Sequence, residues 1–356
     1  MTSTDSNPAH SASTGYHVAV TADVVRPDGS TAHGDLGFSR LEEHGISWSV
    51  FPGSFPVLPL EYFEGVDAVL AMGHTHFDAE TVDHTPRLRH IARFGAGYET
   101  IDLDACTRAG VVVTNTPDAI RGPLAVAAVT MLLALVHNVV PKDRIVRESR
   151  WADRENFRGV GIEGRTIGIV GFGGVGAEIA RLLAPFGTRI IGNNRSGKSA
   201  AADRLGVELL DLDSLLAQSD VVILAAALTP ETTGLIDAAS LAQMKPSAFL
   251  VNVGRGKLVV TDALRDALLE GRLAGAGLDV FDPEPLEPGD PILSLDNVLL
   301  SPHALAWTDQ FTLAVSTAVL ESIIAIAAGR PAESVLNPAV FETDAYRAKV
   351  AAGRLS

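Results

Sequence analysis

Residues 165–195, RTIGIVGFGGVGAEIARLLAPFGTRIIGNNR, constrain this chain more than any other stretch. Residues 166–170 are a short apolar run rich in β-branched side chains, Gly171, Gly173 and Gly176 follow in GxGxxG spacing, and residues 177–185 have helical periodicity. A second apolar run, 189–191, delivers Asn193, Asn194 and Arg195 to its carboxyl end. Strand, glycine turn, helix and second strand form the context that a dinucleotide-binding turn requires. The first glycine allows the tight turn, the second lets the backbone approach a pyrophosphate, and the third lets helix pack on strand. With Gly174 and Val175 they open a helix whose amino end, rich in unpaired N–H groups, favours phosphate. A glycine turn that serves packing alone is the competing reading, and the flanking elements count against it.

The rest of the chain alternates in the same way. Upstream, strand-like runs at 17–21, 46–51, 66–72, 89–94 and 111–115 are interleaved with helix-like segments at 38–44 and 101–109. Downstream, runs at 221–224, 249–253, 275–281 and 298–301 read as strands, with helices at 211–216, 238–244 and 261–270. Residues 121–148 read as one long helix kinked or interrupted at Pro141, and 310–328 as another, stopped by Gly329, Arg330 and Pro331. The fold class expected is α/β with two parallel-sheet domains. A flavodoxin-like substrate domain would comprise residues 15–118 and 306–335, with a Rossmann cofactor domain inserted at 119–305. Residues 1–14 read as a disordered tail and 336–356 as a C-terminal tail.

Composition narrows the partners. The 356-residue chain carries a net charge of −15 and has no lysine or arginine cluster, which argues against nucleic acid and against anionic membrane. A small anionic substrate remains compatible, because positive charge can be held in one cleft. Cys106 is the only cysteine, so no intramolecular disulfide forms, no metal site is expected, and a reducing, cytoplasmic setting fits. The amino terminus lacks the basic start and apolar core of a secretory signal. The longest apolar stretch, 125–140, is broken by Thr130, His137 and Asn138 and is shorter than a bilayer span, so it reads as a buried helix.

Three polar residues stand at the ends of consecutive strands: Arg255 in VNVGRG, Glu284 in LDVFDPEPL and His303 in SPHALAWT. The carboxyl ends of strands in an open parallel sheet are where ligands bind. A guanidinium is a rigid fork matched to a carboxylate, and an imidazole can both give and take a proton near neutrality. Singly, each also has a plain reading, as a surface charge, a turn residue or a structural histidine. Together they resemble, in order and approximate spacing, the motifs of the D-2-hydroxyacid dehydrogenase family, whose members include glyoxylate/hydroxypyruvate reductases and phosphoglycerate dehydrogenases. The resemblance extends over about residues 88–308.

That resemblance implies an NAD(P)-dependent oxidoreductase that moves a hydride between its nicotinamide and a small 2-oxo or D-2-hydroxy acid, such as glyoxylate or hydroxypyruvate. Arg255 would hold the substrate carboxylate, His303 would exchange a proton with the substrate oxygen, and Glu284 would orient and tune His303. The segment RFGAGYETID resembles the loop whose amides, here of Ala96 and Gly97, receive the substrate carboxylate, and His74 stands near the same cleft. Asp279 would contact the carboxamide, Thr229 and Val253 would line the cofactor, and Asn115 would stand at the domain junction. An active site in the cleft between the domains and a homodimer built on the long helix near Arg121 are further expectations of the resemblance.

Departures sharpen the picture. Leu124-Ala125-Val126 stands where the family has Val-Ala-Glu, Ala227 replaces a proline, and Ala306 replaces a glycine after the histidine. At the end of the second strand of the glycine unit, an acidic residue should hold the ribose hydroxyls of NAD. That position is Asn194, followed by Arg195, Ser196, Gly197 and Lys198, which points to NADP as the preferred cofactor, with NAD also accommodated. Two other functions fit the scaffold: oxidation of formate or phosphite, disfavoured by Glu284 where the formate enzymes carry Gln, and a non-catalytic cofactor sensor.

Overall fold

The computed structural model describes residues 15–73 and 75–354. Contacts divide the chain between Ile120 and Arg121 and again between Trp307 and Thr308, so the flanking segments form one unit and residues 121–307 the other. The expected 1–14 tail lies outside the described residues.

The first unit holds β1 (His17–Val20), β2 (Ser47–Val50), β3 (Ala68–Ala71), β4 (His90–Arg93) and β5 (Val112–Thr114). They lie in the order β2-β1-β3-β4-β5, every pair parallel, with Val18 opposite both Trp48 and Ala68. This is the flavodoxin-type winding, in which the order reverses beside β1. Two of the short helices between the strands start at aspartates that accept a backbone N–H, Asp78 from Thr81 at 2.9 Å and Asp102 from Ala105 at 2.8 Å. The helix Asp309–Ala327 packs against β4 and buries Val315, Val319 and Ile323.

The second unit holds β6 (Thr166–Val170), β7 (Arg189–Asn193), β8 (Glu208–Leu209), β9 (Val221–Leu224), β10 (Phe249–Asn252), β11 (Gly275–Leu278) and β12 (Val298–Leu300). Their order is β12-β11-β10-β9-β6-β7-β8, again all parallel, which is the Rossmann winding with a seventh strand added. Side chains alternate between two covered faces. Val222, Leu224 and Leu250 join one core, while Val221, Ile223 and Val251 join the other, under Met131, Leu132 and Leu135. Burial on both faces is why these strands read as unbroken apolar runs. At Gly277 a Cβ would lie 2.6 Å from Met131 Cγ, so the missing side chain lets the helix approach the sheet.

Several boundaries differ from the sequence reading. The long helix is two, Pro117–Val136 and Val139–Arg147, and the break falls at Asn138, whose φ of 52° ends the first helix. Pro141 sits in the first turn of the second helix, where a missing N–H costs little, so it interrupts nothing. Both Pro117–Val136 and Asp309–Ala327 are long and apolar enough to cross a membrane by length and composition, although each also covers a sheet. Strand β8 and the helices Ala79–Asp83 and Ala200–Leu205 were not anticipated. Residues 336–354, expected as a tail, fold into the first unit. Asn337 accepts the Val113 N–H at 2.9 Å and donates to Val111 O at 2.9 Å, and the helix Asp344–Arg354 follows.

Candidate active site

Each glycine of the turn after β6 has a separate geometric reason. Gly171 has φ 89°, and a Cβ on it would collide with the backbone of Ala225 and Ala226. A Cβ on Gly176 would lie 2.7 Å from Gly171 O and 3.1 Å from Ile169 Cγ2, so only glycine lets the helix Gly174–Leu183 sit this close to β6. Gly173 caps that helix and faces open space, with nothing within 4 Å of its Cβ position. A tight turn, a close helix and an open approach to the helix amino end fit a dinucleotide pyrophosphate. The turn also lies where the strand order reverses, between β6 and β9. Arg121, to which no cofactor role was assigned from its sequence position, places its Nε 2.7 Å from the Cβ position of Gly174 and so puts a cation beside the same helix end.

At the end of β7, Asn193 O accepts the N–H groups of Gly171 at 3.0 Å and Phe172 at 2.7 Å, joining the two strand ends. The following residues form a closed polar turn. Asn194 Nδ2 donates to Lys198 O at 3.0 Å, Ser196 Oγ donates to the same oxygen at 2.9 Å, and Gly197 takes φ 64°. Arg195 is exposed, and the Glu231 carboxyl nearby has its pKa lowered chiefly by a hydrogen bond with Thr229, the Arg195 charge adding a smaller effect. Thr229 itself is tied into the loop after β9, its N–H donating to Thr232 Oγ1 at 2.7 Å.

The ends of β10, β11 and β12, neighbours in the sheet, carry the remaining three groups. After β10, buried Val253 leads into Gly254 and Arg255. Asn252, fully buried, ties this turn by accepting the Gly254 N–H at 3.1 Å and donating to Arg255 O at 2.9 Å. Arg255 Nη1 donates to Gly254 O at 2.7 Å. After β11, Glu284 Oε2 accepts the Phe281 N–H at 3.1 Å, which fixes the carboxylate. Its Oε1 lies 2.5 Å from His303 Nδ1. An ionised carboxylate only accepts, so Nδ1 carries the hydrogen and Nε2 is the nitrogen left for chemistry. The His303 side chain is 46% exposed, and its backbone has φ 53°, a strained conformation for a residue with a Cβ.

Asp279, expected at the carboxamide, also has a structural task. It is 2% exposed and its Oδ1 accepts the N–H groups of Ala304 at 3.1 Å and Leu305 at 3.2 Å, holding the turn that presents His303. Burial raises its pKa above the ordinary carboxylate value, against the opposing hydrogen bond with Ser301 and the charge of His303.

In the first unit, the loop after β4 contains Ala96 and Gly97. Asn115 Nδ2 donates to Ala96 O at 2.7 Å, and Thr116 clamps Gly95 through two hydrogen bonds of 3.0 Å. Asn115 Oδ1 is buried without a hydrogen-bond partner. His74 lies outside the described residues. Among those described, no group of histidine, cysteine, aspartate and glutamate is arranged to hold a metal ion.

The class of protein follows from the edge these residues share. A dinucleotide sheet that carries an imidazole–carboxylate pair and a guanidinium beside its ligand crevice is built for dehydrogenase chemistry. Comparison with known proteins agrees. The model of the D-isomer specific 2-hydroxyacid dehydrogenase NAD binding domain matches residues 129–304. The chain is 41% identical over 306 residues to a glyoxylate reductase of Thermococcus onnurineus, covering 84% of this chain and 89% of that one. It is 42% identical over 289 residues to a glyoxylate reductase of Pyrococcus furiosus, covering 80% and 86%. The structure of an NADPH-dependent glyoxylate/hydroxypyruvate reductase from Sinorhizobium meliloti, in complex with NADP and malonate, is similar with a TM-score of 0.79 at 28% identity, covering 91% of this chain and 98% of that one. The chain belongs to the D-isomer-specific 2-hydroxyacid dehydrogenase family. It is an oxidoreductase that transfers a hydride between a nicotinamide dinucleotide and a 2-oxo or 2-hydroxy acid.

The raised Asp279 carboxyl has a signature in stability. Its contribution is fully present below the ordinary carboxylate range and is lost as pH rises through the raised value. Asp279→Asn keeps an acceptor for the two amides and removes the titration. The melting temperature of the variant relative to the parent should therefore rise as the pH climbs from the ordinary carboxylate range through the raised value. A difference that stays flat across that window contradicts a buried carboxyl with a raised pKa.

Proposed function

We propose that the enzyme reduces a small 2-oxo acid, glyoxylate or hydroxypyruvate, to the 2-hydroxy acid, with NADPH as the preferred donor. The observation that carries the cofactor choice is the turn after β7. Asn194 removes the carboxylate that would repel a ribose phosphate, while Arg195, Ser196 and Lys198 offer positive charge and a hydroxyl at the same strand end. The substrate class rests on what the similar reductases are named for.

The bound nicotinamide supplies the hydride. His303 delivers the proton to the substrate oxygen from Nε2, with Glu284 holding Nδ1 and thereby the ring orientation. Arg255 forks onto the substrate carboxylate. The glycine turn, including Gly173, Gly174 and Val175, receives the pyrophosphate, with Arg121 adding charge there. Thr229, Val253 and Asp279 line the cofactor. Cys106 is buried, its thiol pKa pushed up to about 12 chiefly by desolvation, so it takes no part in the chemistry, and a cytoplasmic setting is part of the proposal.

A homodimer is part of the proposal. Val126, Val139, Val140, Val146 and Trp151 are each 45–61% exposed along consecutive helical segments of the second unit, an apolar stretch suited to a partner copy. Sedimentation equilibrium should give twice the chain mass, and Trp151→Glu combined with Val126→Asp should shift it to one. A monomeric parent overturns this part.

Steady-state kinetics with NADPH and NADH against a panel of 2-oxo acids tests the reaction. NADPH should be favoured in kcat/KM, and Arg195→Ala should weaken NADPH by about 10- to 100-fold, the value of a charge-assisted contact, while sparing NADH. A clear NADH preference overturns the cofactor assignment. Reduction of none of the panel overturns the substrate assignment.

A further inference from the structure

A cavity of about 450 Å³ opens in the first unit at the end of the sheet opposite the 95–97 loop. Its wall is made by residues that precede strands, Tyr16 before β1, Ile46 before β2 and Arg89 before β4, together with Arg87 and the helix end at Arg330. The run from Arg89 along β4 to Gly95 is about 20 Å at the usual rise per residue, so the cavity is remote from the substrate loop.

The charge of this wall contrasts with the chain as a whole, whose net charge is −15. Arg87, Arg89 and Arg330 all line the cavity, and no acidic residue does among those described. Asp67, whose side chain is 3% exposed, lies behind the wall and pairs with Arg87 at 2.8 Å and Arg89 at 2.5 Å. It also accepts the His17 N–H at 2.9 Å, so it is fixed from the sheet side. Arg89 is further held with its guanidinium carbon 4.7 Å from the centroid of the Tyr16 ring. Two guanidinium groups are therefore set in place by one buried carboxylate, each with N–H donors to spare. Arg330 is exposed, and its guanidinium pairs with no carboxylate among the described residues. Three cations against one anion leave two positive charges over a concave, partly apolar surface that includes Ile324, Ile326 and Val350.

We propose that this cavity is a second ligand site, separate from the catalytic one, that binds a small organic dianion: a phosphate monoester or a dicarboxylate. The volume suits a small metabolite, and fixed guanidinium groups recognise either anion by the same forked hydrogen bonds. The apolar side of the wall would take the carbon skeleton of the ligand.

Isothermal titration of the full chain saturated with NADPH tests the site, using inorganic phosphate, succinate and acetate at constant ionic strength. Phosphate, succinate or both should bind saturably to a single site, and acetate should not; the arm that binds identifies the source of the dianion. Arg330→Gln should weaken that binding about tenfold or more and leave kcat/KM for the oxo acid unchanged, with Arg330→Lys recovering part of the affinity. Absence of saturable binding overturns the proposal. So does binding that survives Arg330→Gln, or that is lost in Arg255→Ala with Arg330 intact, because the anion then sits in the catalytic site.

Discussion

Parallel pairing governs both sheets. When every neighbour runs the same way, all carboxyl ends fall on one edge, and the loops that follow them are brought together however far apart they are in sequence. In the second unit this places the Asn194 turn, the glycine turn, the Thr229 loop, Arg255, Glu284 and His303 along one edge in the strand order β7, β6, β9, β10, β11, β12. At the usual spacing between strands, that edge is about 24 Å long, the right scale for an extended dinucleotide with a small acid at one end. The groups proposed for the phosphates and ribose lie towards the β7 end, and those proposed for chemistry towards the β12 end, beside Val253 and Asp279.

Geometry at the edge is fixed from behind by buried polar groups. Asn252 ties the turn of Arg255, the Phe281 amide fixes Glu284, and Asp279 holds the two amides that follow His303. These contacts hold His303 at a positive φ that a residue with a Cβ would otherwise avoid, at a cost on the order of 1–3 kcal/mol. The strain sits at the one residue proposed to move a proton, and the burial of Asp279 adds a second cost beside it. Such local costs are tolerated where neighbouring contacts leave the chain no better arrangement.

Much of this was legible because the physics leaves a mark on residue type. Strands buried on both faces need unbroken apolar runs, so Val221–Leu224 coincides with its sequence reading, whereas β8, two residues long at the sheet edge, leaves no such run. The helix break at Asn138 was missed because a left-handed turn is weakly encoded, and Pro141, the louder signal, falls where proline is tolerated. The segment that leads into the closing helix Asp344–Arg354 is anchored to β5 by the Asn337 side chain, which no periodicity reveals. At the site, Arg255, Glu284 and His303 could be named because their chemistry demands those types and their motifs resemble a family. Asn252 and Arg121 could not, since one acts through backbone atoms and the other through space left by Gly174.

His303, oriented by Glu284, is the group proposed as proton donor at this edge. His303→Asn is the informative substitution, because asparagine tolerates positive φ and can keep the turn intact. The decisive measurement pairs kcat for oxo-acid reduction with NADPH affinity by fluorescence titration in this variant. The kcat should fall by about 10²- to 10⁴-fold with NADPH affinity unchanged. A variant that retains kcat close to that of the parent would rule out His303 as the proton donor.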